Sequence, residues 1–329
     1  MLTVLIATYN GAATLPEVLA AYARLTPPAG GWKLVIVDNG STDATPEVLA
    51  AFRDRLPLQT LREPRRGQNA ARNTGLPHVE GDCLVLTDDD AVPTPEWLAI
   101  LRAAADAHPE FPIFAGAILP RWPAPPPQWL VEWVPLSPTF AVLPPGPEGP
   151  VPARRAFGPN VMLRRAVFAD GWRFDESIGP KGPDYPMGAE TELLARLDAA
   201  GARAWHCASA VVHHIIRDYQ MSETWVLERA RRFGRGQYRL AAREWAAEPV
   251  RILGRPRHLL WRLAWQHVRV AQARLLGPCD EAFKRRWFLH YLQGQMLEAQ
   301  MMDGARAADR VDLQARAVAG EPRAGGRVR

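Results

Sequence analysis

Short apolar runs that alternate with helical patterns are the feature that most restricts how this chain can fold. Residues 2–8 (LTVLIAT) and 33–38 (KLVIVD) are rich in β-branched side chains and end in polar residues, as buried parallel strands do. Between them, apolar side chains recur at spacings of three and four over residues 14–25, which predicts an amphipathic helix. This order predicts an α/β domain with a largely parallel sheet.

The same alternation continues to residue 90. A helix is predicted from Thr45, with Pro46 in its first turn, and a further strand at Leu58–Arg62. Another helix is expected over residues 67–76, and the apolar run 82–87 leads directly into three aspartates. In such sheets ligands bind at the carboxyl ends of the strands, so these aspartates are predicted to lie at the ligand crevice.

The rest of the chain divides by composition. Residues 120–152 are rich in Pro and Trp, which predicts a long surface loop or lid without regular structure. Regular patterns return over residues 158–216, and basic helical patterns follow from residue 222. We therefore predict a catalytic domain at 1–216, a basic helical region at 217–304 and a disordered tail at 305–329.

Asp88, Asp89 and Asp90 are the strongest chemical signal in the sequence. Adjacent carboxylates repel one another, so their concentration at a strand end indicates that a cation neutralises them. Mg²⁺ and Mn²⁺ prefer oxygen ligands and commonly share their coordination shell with phosphates. Mn²⁺ or Mg²⁺ carrying a diphosphate is therefore the predicted cofactor, and the alternative is a solvated turn that caps the next helix.

Asp38 ends the second predicted strand, where a carboxylate can accept hydrogen bonds from a ribose or a base. A dinucleotide-binding oxidoreductase would also place an acid here, but its GxGxxG turn is missing after the first strand, which continues as ATYNGAA. A GxxxxGK[ST] phosphate loop is missing as well. A hydride-transfer cofactor and a P-loop nucleotide are therefore not expected.

Seven segments in order resemble the family-2 glycosyltransferases of the GT-A fold. The resemblance covers about residues 2–214, and its segments are IATYNGAATLPEVLAA, IVDNGSTDAT, RRGQNAARNTGL, LTDDDAVPTPEWL, GPNVMLRRAVF, FDESIG and GAETELLARLDAAG. It implies a GT-A fold, a mixed α/β sheet, here followed by a C-terminal helical extension.

The resemblance also implies a role for each matching residue. Asp88 and Asp89 would bind the nucleotide sugar, Asp90 would bind the metal, and His213 would be a further metal ligand or a histidine packed on the sheet. The other positions implied to contact the donor are Thr8, Tyr9, Asn10, Asp38, Arg72 and Asn73.

The GAETEL segment departs from the GEDTEL of the family. By resemblance its second acid, Glu190, is the general base, whereas Ala189 replaces the preceding acid. Proton transfer needs heavy-atom contact at about 2.6–3.2 Å, so the longer Glu side chain leaves Asp184 as a reserve candidate. A helix that merely begins with acids in its first turn is the structural alternative.

These residues together predict a metal-dependent inverting glycosyltransferase. The sugar would move from a nucleotide-diphosphate sugar to an acceptor hydroxyl on a glycan, lipid-linked glycan, protein or metabolite, as in the synthesis of cell-surface glycans. The alternative is a glycosyltransferase-like protein that binds nucleotide sugars with little or no turnover. A sugar nucleotidyltransferase is not expected, because ATYNGAATL lacks the Gly-rich loop with a following Arg and Lys.

Aromatic and basic residues outside the motifs leave two questions open. Trp122, Trp129 and Trp133 are predicted either to form an acceptor platform or to pin the Pro-rich loop. From Met221 onward there are 21 Lys and Arg against 11 Asp and Glu, interleaved with Trp and Leu. This region is predicted either to bind an anionic membrane surface or to pack on the catalytic domain, and nucleic acid is not an expected partner because no reader motif accompanies the charge.

Three widely spaced cysteines, Cys83, Cys207 and Cys279, form no disulfide framework or zinc motif. They fit a reducing compartment, and neither a signal peptide nor a membrane-spanning segment is predicted. The chain is thus expected to be cytoplasmic, with the inner face of the membrane as a candidate location.

Overall fold

The computed structural model describes the backbone of residues 1–244 and 249–318, and side chains up to Gly304. The strands are β1 (Leu2–Thr8), β2 (Trp32–Asp38), β3 (Leu58–Arg62), β4 (Cys83–Asp88), β5 (Ala91–Pro93), β6 (Ile113–Arg121), β7 (Gly149–Pro152), β8 (Val161–Arg164), β9 (Arg203–Ile215), β10 (Arg251–Ile252) and β11 (Arg255–Pro256). The helices are α1 (Leu15–Tyr22), α2 (Thr45–Ala51), α3 (Gln68–Gly75), α4 (Trp97–Ala107), α5 (Gln128–Trp133), α6 (Leu136–Phe140), α7 (Ala166–Ala169), α8 (Ala189–Ala199), α9 (Glu223–Glu244), α10 (Arg257–Leu276) and α11 (Cys279–Val318).

The main sheet is mixed, with the strand order β3-β2-β1-β4-β8-β6-β9-β5 and β7 paired to β9. Strands β1 to β4 are parallel, as the alternating pattern predicts, whereas β8 runs antiparallel between β4 and β6. The side chains of β1 alternate between two cores, one containing Val4 and Ile6 and the other containing Leu5. Because both faces are covered, the strand consists almost entirely of apolar residues.

The Pro- and Trp-rich segment is more regular than its composition predicts. The expectation that residues 120–152 contain no regular element is wrong, because α5, α6 and β7 form within them. Pro127 and Pro135 precede α5 and α6, and Pro138 lies within the first turn of α6, positions where the missing N–H costs little.

The three tryptophans of this segment pack against the protein. Trp129 lies 5.3 Å from the Phe283 ring and Trp122 5.3 Å from the Phe140 ring, and all three belong to one apolar cluster with residues of α9 and α11. These contacts favour the role of pinning the loop over that of an acceptor platform.

Helices α9 and α11 pack closely through glycine. A Cβ on Gly234 would lie 1.9 Å from the Tyr291 carbonyl oxygen, and one on Gly294 would lie 1.9 Å from that of Arg231. Beside this crossing, Arg235 donates to the buried Glu298 at 2.9 Å. Helix α11 continues to Val318, within the tail predicted at 305–329, and residues 319–329 of that tail lie outside the described residues.

None of the helices in the described part of the chain is long and apolar enough to cross a bilayer. The three cysteines are free, with Cys83 and Cys207 buried and Cys279 exposed.

We expect Gly234→Ala to destabilise the protein. The added methyl group meets a backbone carbonyl that cannot move aside, and overpacking of this kind typically costs about 1–3 kcal/mol. Gly304→Ala is the matched control, because nothing lies within 4 Å of its Cβ position and alanine favours a helix over glycine. Denaturant unfolding compares the two, and equal stability of both variants would contradict the close packing.

Candidate active site

The three aspartates lie where β4 ends and β5 begins. Asp88 is the last residue of β4, and β5 pairs antiparallel with β9, which brings Ala91 opposite His214. The Ile215 N–H also donates to the Asp90 carbonyl oxygen at 2.8 Å. The carboxyl end of β9 is thereby fixed beside the aspartates.

Asp90 faces two basic side chains. Its carboxylate lies 3.3 Å from His214 Nε2 and 3.7 Å from an Arg217 nitrogen, and His214 Nδ1 is 2.7 Å from the Phe140 carbonyl oxygen. Burial opposes ionisation of Asp90, but the charges of His214 and Arg217 outweigh it and lower its pKa. Burial opposes protonation of His214, but the carboxylate of Asp90 raises the pKa of this imidazole.

The histidine beside Asp90 is therefore His214, and the expectation that named His213 is corrected. Successive side chains of a strand point to opposite faces, and His213 is the register partner of Val92 instead. Which of two consecutive histidines faces the aspartates cannot be told from the sequence until the partner strand is known.

Asp88 is held by two residues of α3. Its Oδ1 accepts from Gln68 at 3.1 Å and from Arg72 at 3.2 Å. Burial raises the pKa of Asp88 to about 6, an effect that the Arg72 guanidinium partly offsets. Arg72 is buried and its other terminal nitrogen lies 3.3 Å from Glu190, so this one guanidinium joins the aspartates to the predicted base.

Asp89 contacts the first strand, where it accepts a hydrogen bond from the Thr8 hydroxyl. Burial, followed by the neighbouring charge of Asp90, raises its pKa. Among the described residues Asp89 has no direct cationic partner in an ion pair, unlike Asp88 and Asp90. A cation bound here would remove this uncompensated repulsion.

Glu190 lies in the first turn of α8. Its Oε1 accepts from the Gly158 N–H at 3.1 Å, and a Cβ on Gly158 would lie 2.6 Å from the Glu190 carboxyl carbon. Gly158 thus provides both the donor and the space for this carboxylate.

Neither position 189 nor Asp184 places another carboxylate beside Glu190. Ala189 is buried, with Gly179 so close that a Cβ there would lie 2.7 Å from that of Ala189, which leaves little room for a carboxylate. Asp184 is paired with Arg235 at 3.1 Å and with Arg231 at 3.8 Å, and it does not line the cavity that contains Glu190.

Two cavities meet at the aspartates, and Gln68, Asp89 and Pro180 line both. The larger, of about 750 Å³, is bounded by Asp88, Asp89, Asp90, Glu190 and His214 on one side and by α6 and α9 on the other. Residues on its far wall that the sequence patterns did not single out include Phe140, Tyr185, Arg232, Phe233 and Gln237. The smaller cavity, of about 440 Å³, is lined by Thr8, Tyr9, Asn39, Arg66 and Lys181.

The remaining predicted donor contacts separate into two groups. Tyr9 lines the smaller cavity, and the Arg66 guanidinium lies 3.3 Å from its ring centroid; hydrogen bonding to Arg66 lowers the pKa of this phenol. Asp38 lies beside Thr8 in the register, but its carboxylate accepts from the Ser41 N–H, and it is Asn39 that lines the cavity.

Asn10 and Asn73 lie outside both cavities. Asn10 accepts a hydrogen bond from the Thr42 N–H at 2.8 Å and so holds the loop after β2. Asn73 donates to the Phe174 carbonyl at 2.9 Å and to Glu176 at 3.1 Å. The structure thus brings Arg72 into the site and leaves its neighbour Asn73 fixing an adjacent loop.

A metal ion would need ligands beyond the protein. Within the described residues, no group of three or more His, Cys, Asp and Glu side chains is placed to hold a metal by itself. The carboxylates of Asp89 and Asp90 supply hard oxygen ligands, and a diphosphate would complete the shell that Mg²⁺ or Mn²⁺ requires. The residues therefore fit a shared metal rather than a closed protein site.

Known proteins share the fold of this chain, and a family model matches its N-terminal part. The family model "Glycosyl transferase family 2" matches residues 3–141. A glucosyl-dolichyl phosphate glucuronosyltransferase from Haloferax volcanii is 25% identical over 60% of this chain and 64% of its own length, so the chain spans less than two thirds of this relative. The succinoglycan biosynthesis protein ExoM from Rhizobium meliloti is 25% identical over 69% of this chain and 71% of its own.

Among solved structures, the mannosyltransferase from Pyrobaculum calidifontis in complex with GDP-Man and Mn²⁺ matches with a TM-score of 0.60. It is 21% identical, with 92% of this chain and 87% of that chain covered. The structural match confirms the predicted GT-A fold with a helical C-terminal region. The family match places a family-2 glycosyltransferase domain at residues 3–141 of this chain.

Proposed function

We propose that the protein is a metal-dependent inverting glycosyltransferase that moves a sugar from a nucleoside-diphosphate sugar to an acceptor hydroxyl. The observation that carries this proposal is that Asp88–Asp90 and Glu190 line one cavity, and that the buried Arg72 joins Asp88 to Glu190. Acids for a metal and a carboxylate for a proton are thereby held in one rigid arrangement.

The smaller cavity fits the nucleotide. Tyr9, stacked with Arg66, offers a flat face to a base, and Lys181 offers a cation near the junction with Asp89. The mannosyltransferase from Pyrobaculum calidifontis binds GDP-Man, which supports a nucleotide sugar as the donor. The diphosphate would then lie at Asp89, where the two cavities meet.

Asp89 and Asp90 would hold Mn²⁺ or Mg²⁺ together with the diphosphate. When bound there, the ion supplies Lewis-acid stabilisation of the negative charge that builds on the leaving phosphate. His214 and Arg217 keep the Asp90 carboxylate ionised and oriented for this role.

Glu190 would accept the proton of the acceptor hydroxyl as it attacks the anomeric carbon. Its carboxylate is fixed by Gly158 and Arg72 and borders the larger cavity, whose far wall on α9 has room for an acceptor. Attack in a single displacement, with the base opposite the leaving group, inverts the anomeric configuration.

Calorimetric titration with UDP, GDP, CDP and dTDP, each with Mn²⁺, Mg²⁺ or EDTA, tests the donor site. Once the nucleotide that binds is known, its sugar derivatives serve as donors in assays of sugar transfer and of donor hydrolysis, which test turnover. Metal-dependent binding with release of nucleoside diphosphate supports the proposal. Binding without any turnover would instead support the binding-protein alternative, and absence of binding would refute both.

Gly158→Ala is expected to lower kcat without loss of stability. The added methyl group would meet the Glu190 carboxyl group at 2.6 Å and push it from its position, and misplacement by about 1 Å can reduce a rate about a hundredfold. Gly304→Ala is the control, since nothing lies within 4 Å of its Cβ position and it lines neither cavity. Steady-state kinetics and thermal unfolding of both variants check the result, and an unchanged kcat in Gly158→Ala would contradict the placement of Glu190.

A further inference from the structure

Helix α10 has two opposite apolar faces. One packs on α11 and buries Leu259, Val270 and Ala273. The other is exposed and contains five apolar residues at helical spacing. They are Trp261, Trp265, Val268, Leu275 and Leu276, whose exposed fractions are 70%, 65%, 57%, 81% and 83%.

The spacing of these residues places them on one stripe. At 100° per residue, positions 261, 265, 268, 275 and 276 fall within about 100° of one another, on the side opposite the buried residues. Just before the helix, Leu253 at the tip of the β10–β11 hairpin is 95% exposed. Contiguous exposed apolar surface of this kind marks an interaction site.

The charged side chains in the segment that contains the stripe are all positive. Residues 249–279 contain six arginines and no Asp or Glu. Among the described residues, Arg257 and Arg269, which flank the stripe at 100° per residue, have no carboxylate partner in an ion pair. The stripe is therefore accompanied by cationic groups that are free to contact an anionic surface.

These observations favour one binding partner for the exposed face of α10. We propose that the exposed face of α10 binds the surface of an anionic lipid bilayer, with the indole rings of Trp261 and Trp265 at the level of the headgroups. Indole rings favour the membrane interface, and arginines beside them contact lipid phosphates. A second copy fits less well, because pairing this face with itself would bring the arginines of two helices together.

Sedimentation of the full chain with lipid vesicles tests this proposal. The vesicles consist of phosphatidylcholine alone or of phosphatidylcholine mixed with phosphatidylglycerol. We expect the protein to partition at least tenfold more strongly to the anionic vesicles than to phosphatidylcholine alone. The reason is that each arginine near the anionic surface contributes a factor of about five. Trp261→Ser with Trp265→Ser should weaken it about tenfold or more. Arg257→Gln with Arg269→Gln should weaken it roughly twentyfold.

Arg24→Gln with Arg53→Gln is the matched control. It removes the same charge from exposed positions of the α/β domain that have no carboxylate partner among the described residues, so its partitioning should stay near the wild type. Circular dichroism checks that every variant is folded.

Equal partitioning of wild type and both α10 variants, or no binding to anionic vesicles, would overturn the proposal. A different result would also overturn it. Sedimentation velocity would show that the wild type is a dimer and the Trp variant a monomer, and neither protein would bind vesicles. Because the assay measures lipid binding alone, its outcome is independent of whether the transfer reaction is correct.

Discussion

Glu190→Gln should reduce kcat by about 10²–10⁴-fold, the range that a positioned general base contributes. Glutamine keeps the size of the side chain and can still accept from the Gly158 N–H, but it cannot take a proton from the acceptor. The donor does not require this proton transfer to bind, so its Kd should change by no more than about twofold. Calorimetry with the bound nucleotide and single-turnover transfer assays measure the two effects separately.

Asp184→Asn is the matched control for this variant. Asp184 is six residues earlier and is also an acid, but it is paired with Arg235 and Arg231 and does not line the cavity. Its kcat should remain near that of the wild type. If Asp184→Asn loses transfer and Glu190→Gln keeps it, the base has been assigned to the wrong carboxylate.

Asp90→Asn should remove the dependence of donor binding on divalent metal. Loss of residues that only support a metal ligand costs about 10–100-fold in metal affinity, so loss of a ligand itself should weaken Mn²⁺-dependent nucleotide binding at least about a hundredfold. The remaining affinity should equal that of the wild type in EDTA. Titrations of both proteins with and without Mn²⁺ give this comparison directly.

Two further measurements separate loss of the metal from loss of structure. Asp90 also interacts with His214 and Arg217, so the thermal unfolding of Asp90→Asn must be recorded beside its binding. Asp54→Asn, an exposed acid after α2, controls for the change in net charge. Mn²⁺ dependence that persists in a folded Asp90→Asn protein would show that other residues hold the ion.

The sequence was sufficient for the features that depend on local pattern. Apolar runs with β-branched side chains predicted β1, β2, β3 and β4 within a residue or so, because a strand buried on both faces leaves a continuous signal. The aspartates at the end of β4 followed from the same pattern. The comparisons confirm the resemblance that pointed to family 2.

Features that depend on distant partners could not be read in this way. The sequence pointed to His213 rather than His214, because pairing with β5 decides which face of the sheet each side chain of β9 occupies. Strand β5 lies more than a hundred residues earlier in the chain. The pairing of Asp184 with Arg235 likewise depends on where α9 packs. The tryptophans of α5 contact Phe283 of α11, and Phe140 of α6 stacks on Trp225 of α9, which local composition does not reveal.

The glycine crossing between α9 and α11 also affects what the larger cavity can accept. Helix α9 forms the far wall of that cavity, and it is packed tightly on α11 where Gly234 meets the Tyr291 carbonyl oxygen and Gly294 meets that of Arg231. An acceptor must therefore match the shape of a stationary surface. If the proposed function holds, exchanging side chains such as Gln237 or Phe233 on that surface should redirect acceptor choice while the aspartates at the end of β4 stay intact, so α9 is the helix at which to alter specificity.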